Sequence, residues 1–103
     1  MSIAMRVEFS DPELRRLFFD GEIRVRGLGP ELTSSFRRKV GVLVNAKDTR
    51  DLYAMKSLHF EKLNGDRAGQ RSVRLDQQWR LILTIEADDE GQFVNIVEIV
   101  DYH

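Results

Sequence analysis

Three arginines, Arg67, Arg74 and Arg80, and the run Asp101-Tyr102-His103 are the residues of this chain best suited to chemistry. Guanidinium forks match the oxygens of a phosphate and offset its charge. An imidazole with a reference pKa of about 6.5 takes or gives a proton near neutral pH. Cleaving RNA without a metal needs such a set. The ribose 2′-hydroxyl must lose a proton, the scissile phosphate must be gripped, the leaving 5′-oxygen must gain a proton, and the nucleotide must be held in line. The arginines suit the grip and His103 suits either proton transfer. Tyr102 suits stacking on a base or a hydrogen bond to phosphate, and Asp101 suits orienting His103 or accepting a proton. A histidine as the last residue of a strand is an odd choice for packing.

The elements that must carry these groups follow from periodicity. Ile3 to Phe9 reads as an opening strand. Ser10-Asp11-Pro12 is a helix start, with Ser10 or Asp11 as cap, Pro12 in the first turn and Glu13 at the positive end of the dipole. Leu14, Leu17 and Phe18 recur at helical spacing up to Gly21. A second helix begins near Pro30 with the apolar stripe Leu32, Phe36, Val40, Leu43 and Val44. The basic triplet Arg37-Arg38-Lys39 lies mostly off that stripe, as a solvated face or a contact surface. A third helical turn covers Asp48 to Met55. From Phe60 the pattern turns to strands: Ser72–Leu75 pairs with Trp79–Glu86, Ala87–Gln92 is a turn, and Phe93–Val100 is a last apolar strand. This order predicts an α+β fold, with N-terminal helices on one face of a mainly antiparallel sheet. Trp79, Leu81, Leu83 and Ile85 point to the covered side; Arg74 and Arg80 fall on the open one.

The bulk numbers bound the rest. A chain of 103 residues with 42% hydrophobic and 32% charged residues is expected to form one domain, residues 1–103. It has no cysteine, which fits a reducing cytoplasm, and with two histidines a zinc site is not expected. No apolar run reaches the roughly 18 residues of a membrane span, and no signal peptide is visible. The net charge of −1 hides an asymmetry. Residues 1–55 carry ten basic against eight acidic side chains, residues 56–80 six against three, and residues 81–103 none against six. Any RNA contact is therefore local rather than a broad basic footprint.

The residues Leu63, Gly65, Arg67, Gly69, Ser72, Val73, Arg74, Gln78, Trp79, Arg80 and Asp101-Tyr102-His103 stand in an order that resembles the HigB-type toxins of the RelE-like superfamily. The likeness is specific over residues 63–103 and architectural over residues 1–62. It implies a RelE-like fold and an mRNA endoribonuclease acting on translating ribosomes, with no cofactor. It also implies neutralisation by a HigA-like helix-turn-helix antitoxin, and contact with operator DNA only through that antitoxin. Arg80, Asp101, Tyr102 and His103 are then the catalytic candidates; Arg67, Arg74 and Lys62 are the candidate RNA and phosphate contacts. Two positions depart from the pattern: Asn64 stands where many members have lysine, and Glu61 where some have histidine. Lys62 is a substitute charge, but alternation places it on the opposite face from Glu61. His59 lies two places from the histidine position and reads as a surface or half-buried residue. Lower toxicity and altered base preference are the expected consequences. Gly65 and Gly69 precede no helix, so they are not a P-loop. Arg71 reads as solvated and Arg67 either as a loop closure through carbonyls or as a contact. Two rival readings are a catalytically dead toxin fold acting as antitoxin partner and co-repressor, and a stand-alone RNA-binding domain. Against the latter, the strands lack the paired aromatics of an RRM sheet.

Overall fold

The computed structural model describes residues 5–101. Tyr102, His103 and the first residues of the expected opening strand lie outside the described residues. The opening strand β1 is Arg6–Phe9. Helix α1, Pro12–Phe19, is capped by Asp11, whose carboxylate accepts from the Glu13 N–H at 2.8 Å. The other cap candidate, Ser10, instead ties β1 to the last strand: its N–H donates to the Ile96 carbonyl and its hydroxyl accepts from Asn95. Helix α2, Pro30–Asn45, buries Leu32, Phe36, Val40 and Leu43. Val44, at the rim of the predicted stripe, is 38% exposed. Helix α3, Thr49–Ala54, is capped by Asp48. A 3₁₀ turn over Lys56–Leu58 leads into the short strand β2, Glu61–Lys62. After a second 3₁₀ turn come β3 (Arg71–Arg74), β4 (Trp79–Asp88) and β5 (Gly91–Asp101).

The five strands are ordered β1-β5-β4-β3-β2. Neighbours are antiparallel except β1, which runs parallel to β5 from Arg6↔Phe93 to Phe9↔Ile96. A parallel pair needs a crossover connection, and here the crossover contains all the helices, which therefore collect on one sheet face. Leu14, Leu17, Phe36, Val40 and Leu43 meet Val73, Leu81, Leu83, Val94 and Ile96 in that core. Trp79 and Ile85 pack against the same cluster, as the period-2 reading requires.

Two details of the sheet differ from the sequence pattern. Opposite Ile82 stands Glu98, but opposite Leu83 stands Ile96, so Val97 is an extra residue and forms a bulge. The bulge resets the phase of β5 and brings Ile99 to the core side with Val94 and Ile96. The predicted turn over 87–92 shrinks to Asp89-Glu90, because the ladder continues through Ala87↔Gln92 and Asp88↔Gly91. Arg6 of β1 reaches the tip of this ribbon and pairs with Asp88 and Glu90. Gly91, at φ +115°, supplies the backbone conformation that closes so short a loop.

Candidate nucleic-acid interface

The register sets Arg74 of β3 directly opposite Arg80 of β4, on the face the helices leave open. Like charges facing each other across a strand pair are destabilising, so something must hold them there. Acceptors from β2, β3 and the turn before β2 hold Arg80. Its Nη1 donates to the His59 carbonyl at 3.1 Å and to the Ser72 hydroxyl at 3.3 Å, and its Nη2 to Glu61 Oε1 at 3.2 Å. With the side chain 11% exposed, the fork is fixed in direction while its rim still meets solvent. Ser72, fully buried, and Glu61 of β2 share the Arg80 face through the pairings Glu61↔Ser72↔Ile82.

His59 supports both arginines. It ends the Lys56–Leu58 turn in the left-handed region, φ 47° and ψ 51°, among the few conformations in which histidine is enriched outside the usual basins. That twist presents its carbonyl to Arg80 and its ring to Arg74, with His59 Nε2 3.4 Å from Arg74 Nη1. The sequence places His59 on the surface, and it is exposed. Its membership of the cluster has no sequence signal. The residue lies in a turn rather than a strand, so the alternation used to judge its face does not apply there.

The other candidates divide. Arg67, in the turn Gly65–Arg67, does not close its loop through carbonyls. Its Nη1 donates to Gln70 Oε1 at 2.9 Å and to Glu98 Oε2 at 3.2 Å, reaching the open face of β5. Gly65 and Gly69 flank this turn at φ +65° and +92°, so their role is conformational. Lys62 pairs in register with Arg71 and through it with Leu83, a core residue. It lies on the opposite face from Glu61 and does not join Arg80. Arg71 is half-buried, with its Nε out of solvent, rather than simply solvated. Asp101 pairs with Trp79, which directs it to the tryptophan side of the sheet, and its carboxylate accepts from Gln78 Nε2 at 2.9 Å. From sequence, Asp101 is a residue that orients His103, accepts a proton or caps the sheet edge; the bond from Gln78, a residue of the same motif, ties it to the β3–β4 hairpin. Asp76 shapes that hairpin by accepting from the N–H groups of Gln78 and Trp79. Tyr102 and His103 lie outside the described residues.

The basic triplet of α2 also divides. Arg37 is structural: it donates to the carbonyls of Leu17, Asp20 and Ile23 and closes the end of α1. Lys39 turns toward the cluster and donates to the Ser57 carbonyl at 2.7 Å, two residues from His59. Burial first, then the charges of Arg38 and Arg74, hold its ammonium below the usual lysine range. Cavities of about 460 and 480 Å³ lie elsewhere, between α2 and α3 and beside Arg37. Neither cavity is lined by Arg67, Arg74 or Arg80.

Among the described residues no helix is long and apolar enough to cross a membrane. The fold is shared with solved toxin structures. The YoeB/ParE toxin from Agrobacterium tumefaciens superposes with a TM-score of 0.54 at 14% identity, over 96% of this chain and 100% of that one. A chain of the RelBE2 toxin–antitoxin complex from Mycobacterium tuberculosis gives 0.51 at 19% identity, over 96% and 99%. In sequence, Toxin HigB-1 of Vibrio cholerae is 32% identical over 78 residues, which is 76% of this chain and 81% of the relative. The family model for the RelE-like toxin of the type II toxin–antitoxin system HigB matches residues 7–103. The likeness therefore extends well beyond the motif region, through the helices and β1, and the chain belongs to the HigB family of RelE-like toxins.

Proposed function

We propose that this toxin is a metal-independent endoribonuclease that cuts mRNA on translating ribosomes. The observation that carries this reading is the facing pair Arg74 and Arg80, buttressed by one histidine on the helix-free sheet face. Two adjacent guanidinium groups held against their mutual repulsion suit a polyanion. In the reaction, the ribose 2′-oxygen gives up its proton and bonds to the neighbouring phosphorus. The bond from phosphorus to the 5′-oxygen breaks, and that oxygen takes a proton. The products are a 2′,3′-cyclic phosphate and a 5′-hydroxyl end. Arg80 bears on the charge that grows on the phosphate oxygens, and Arg67 and Arg74 hold the strand. His103 transfers a proton, and Tyr102 stacks on a base or meets the phosphate. Asp101, fixed by Gln78, positions the end of β5. The RelBE2 and Staphylococcus aureus YoeB–YefM structures are complexes of a toxin with its antitoxin. By that analogy a dedicated antitoxin neutralises this chain, and helix-turn-helix type and operator contact through it are the family's expectation. A cytoplasmic site of action follows from the same reading.

The test is a translation extract programmed with a defined mRNA and supplied with the purified toxin. New 5′-hydroxyl ends inside codons are expected only in the presence of ribosomes. Intact mRNA at toxin concentrations matching the ribosomes would overturn the nuclease reading.

A second reading, a weak or inactive toxin fold serving as antitoxin partner and co-repressor, draws support from Glu61. Its carboxylate occupies one arm of the Arg80 fork, where a phosphate oxygen would bind. Glu61 is half exposed, so the pair is a weak competitor rather than a lock. Glu61→Gln keeps a hydrogen-bond acceptor and removes the charge. Cleavage should quicken by about two- to fivefold at low salt, with the gain shrinking as salt screens the pair. A slower Glu61→Gln variant would instead make the carboxylate a support for Arg80.

A further inference from the structure

Charge on the open face is distributed unevenly. Arg80 is paired with Glu61 and Arg67 with Glu98. Among the described residues, no ion pair joins Lys39 or Arg74 to a carboxylate. Lys39 comes from α2 and Arg74 from β3, so two unrelated elements bring cations to the same rim. Lys39 is anchored by the Ser57 carbonyl and Arg74 by the ring of His59, two residues further along the same turn. The segment from Ser57 to His59 thus brackets both groups, Lys39 through a backbone carbonyl and Arg74 through an imidazole ring. We propose that Lys39 and Arg74 form a second anion subsite, which binds an RNA phosphate adjacent to the one held by Arg80.

This rests on the nuclease reading for the position of the scissile phosphate and adds a contact from the helical layer. Facing positions on neighbouring strands lie about 5 Å apart at the backbone. Arg74 is held by the His59 ring and Arg80 by the His59 carbonyl, Ser72 and Glu61, so the two facing arginines are separately anchored grips on one strand. Burial first, then the charges of Arg38 and Arg74, disfavour the charged amine of Lys39. A bound phosphate offsets the like-charge part of that effect by supplying negative charge. The alternative is that Lys39 only ties α2 to the turn by bonding Ser57. In that case its removal changes stability but not the response to phosphate.

The experiment uses the full chain and a single-stranded tetranucleotide of 2′-O-methyl RNA, which lacks the attacking hydroxyl and so binds without being cut. Affinity is measured across a salt series for the wild type, Lys39→Met and Arg80→Ala, each checked for native fold by circular dichroism. It is then measured again with one phosphate at a time replaced by a neutral methylphosphonate. Lys39→Met is expected to weaken binding about three- to tenfold and to flatten the slope of log affinity against log salt by about 0.7, one phosphate's share on a single strand. It should also become indifferent to one methylphosphonate that the wild type and Arg80→Ala both still sense. The inference is overturned if a folded Lys39→Met keeps the wild-type slope and methylphosphonate pattern, or if the wild type does not bind the tetranucleotide. The translation extract scores cleavage separately. A protein that cuts mRNA but binds without regard to Lys39 loses only the second subsite. One that binds through Lys39 but does not cut keeps the subsite and loses the nuclease reading.

Discussion

Replacing Arg80 with alanine should lower mRNA cleavage by roughly 10²–10³-fold, the scale set by loss of one preorganised donor to a developing oxyanion. The size of the effect follows from how the residue is held. Its side chain is 11% exposed and its fork is bound to a carbonyl, a hydroxyl and a carboxylate, so its direction is settled before substrate arrives. No reorganisation is then needed as charge accumulates on the phosphate. Arg80→Lys is the more informative variant. An ammonium keeps the charge but cannot serve the His59 carbonyl, the Ser72 hydroxyl and a phosphate in one plane. A loss close to that of alanine is expected for lysine, read as single-turnover cleavage on stalled ribosomes. Near wild-type cleavage by Arg80→Lys would reduce the role of Arg80 to a diffuse charge. Near wild-type cleavage by Arg80→Ala would remove it from the reaction. The substitution also leaves Glu61 without its partner, but that carboxylate is half exposed and rehydrates. The fold, anchored on the other face by Leu81 and Leu83, should persist.

How far such a site can be read in advance depends on whether its parts obey local rules. That Arg74 and Arg80 share the open face was legible, because alternation in Trp79–Glu86 and Ser72–Leu75 separates a core side from an open side; that they stand directly opposite each other comes from the register. The starts of the three helices were legible from Pro12, Pro30 and Asp48 for equally local reasons. His59 was not, since its role depends on a left-handed backbone after a 3₁₀ turn, and periodicity carries no information through such a turn. Lys39 was hidden differently. Three successive basic residues on a helix point in three directions, about 100° apart. Only tertiary packing shows that Arg37 closes α1 while Lys39 faces the turn after α3. The bulge at Val97 was invisible because every residue of Phe93–Val100 except Asn95 and Glu98 is apolar, so either phase would bury hydrophobic surface. The same bulge governs where Glu98 meets Arg67 and how β5 carries its end toward the hairpin.

His103→Ala should reduce cleavage by roughly 10²–10⁴-fold, the usual contribution of a positioned proton-transfer group, and abolish growth inhibition without loss of fold. Two imidazoles compete for that role, and substitution separates them. His59 sits beside Arg74 and supports Arg80 through its carbonyl, an interaction that any residue at that position retains if the backbone keeps its twist. Alanine is a poor choice there because a left-handed residue with a β-carbon is strained. Asparagine tolerates that conformation and removes the ring. His59→Asn is therefore expected to bind RNA somewhat less well while keeping the wild-type dependence of the cleavage step on pH. His103→Ala is expected to lose one limb of that dependence, because the imidazole proposed to transfer the proton is gone. Single-turnover rates between pH 5 and 9 make the comparison. If His59→Asn loses the limb and His103→Ala keeps it, the proton passes through the imidazole that leans on Arg74, and the terminal histidine is a binding group. If both variants keep the wild-type profile and rate, neither imidazole moves a proton. The two arginines would then act by electrostatic stabilisation alone, with water as the acid and the base.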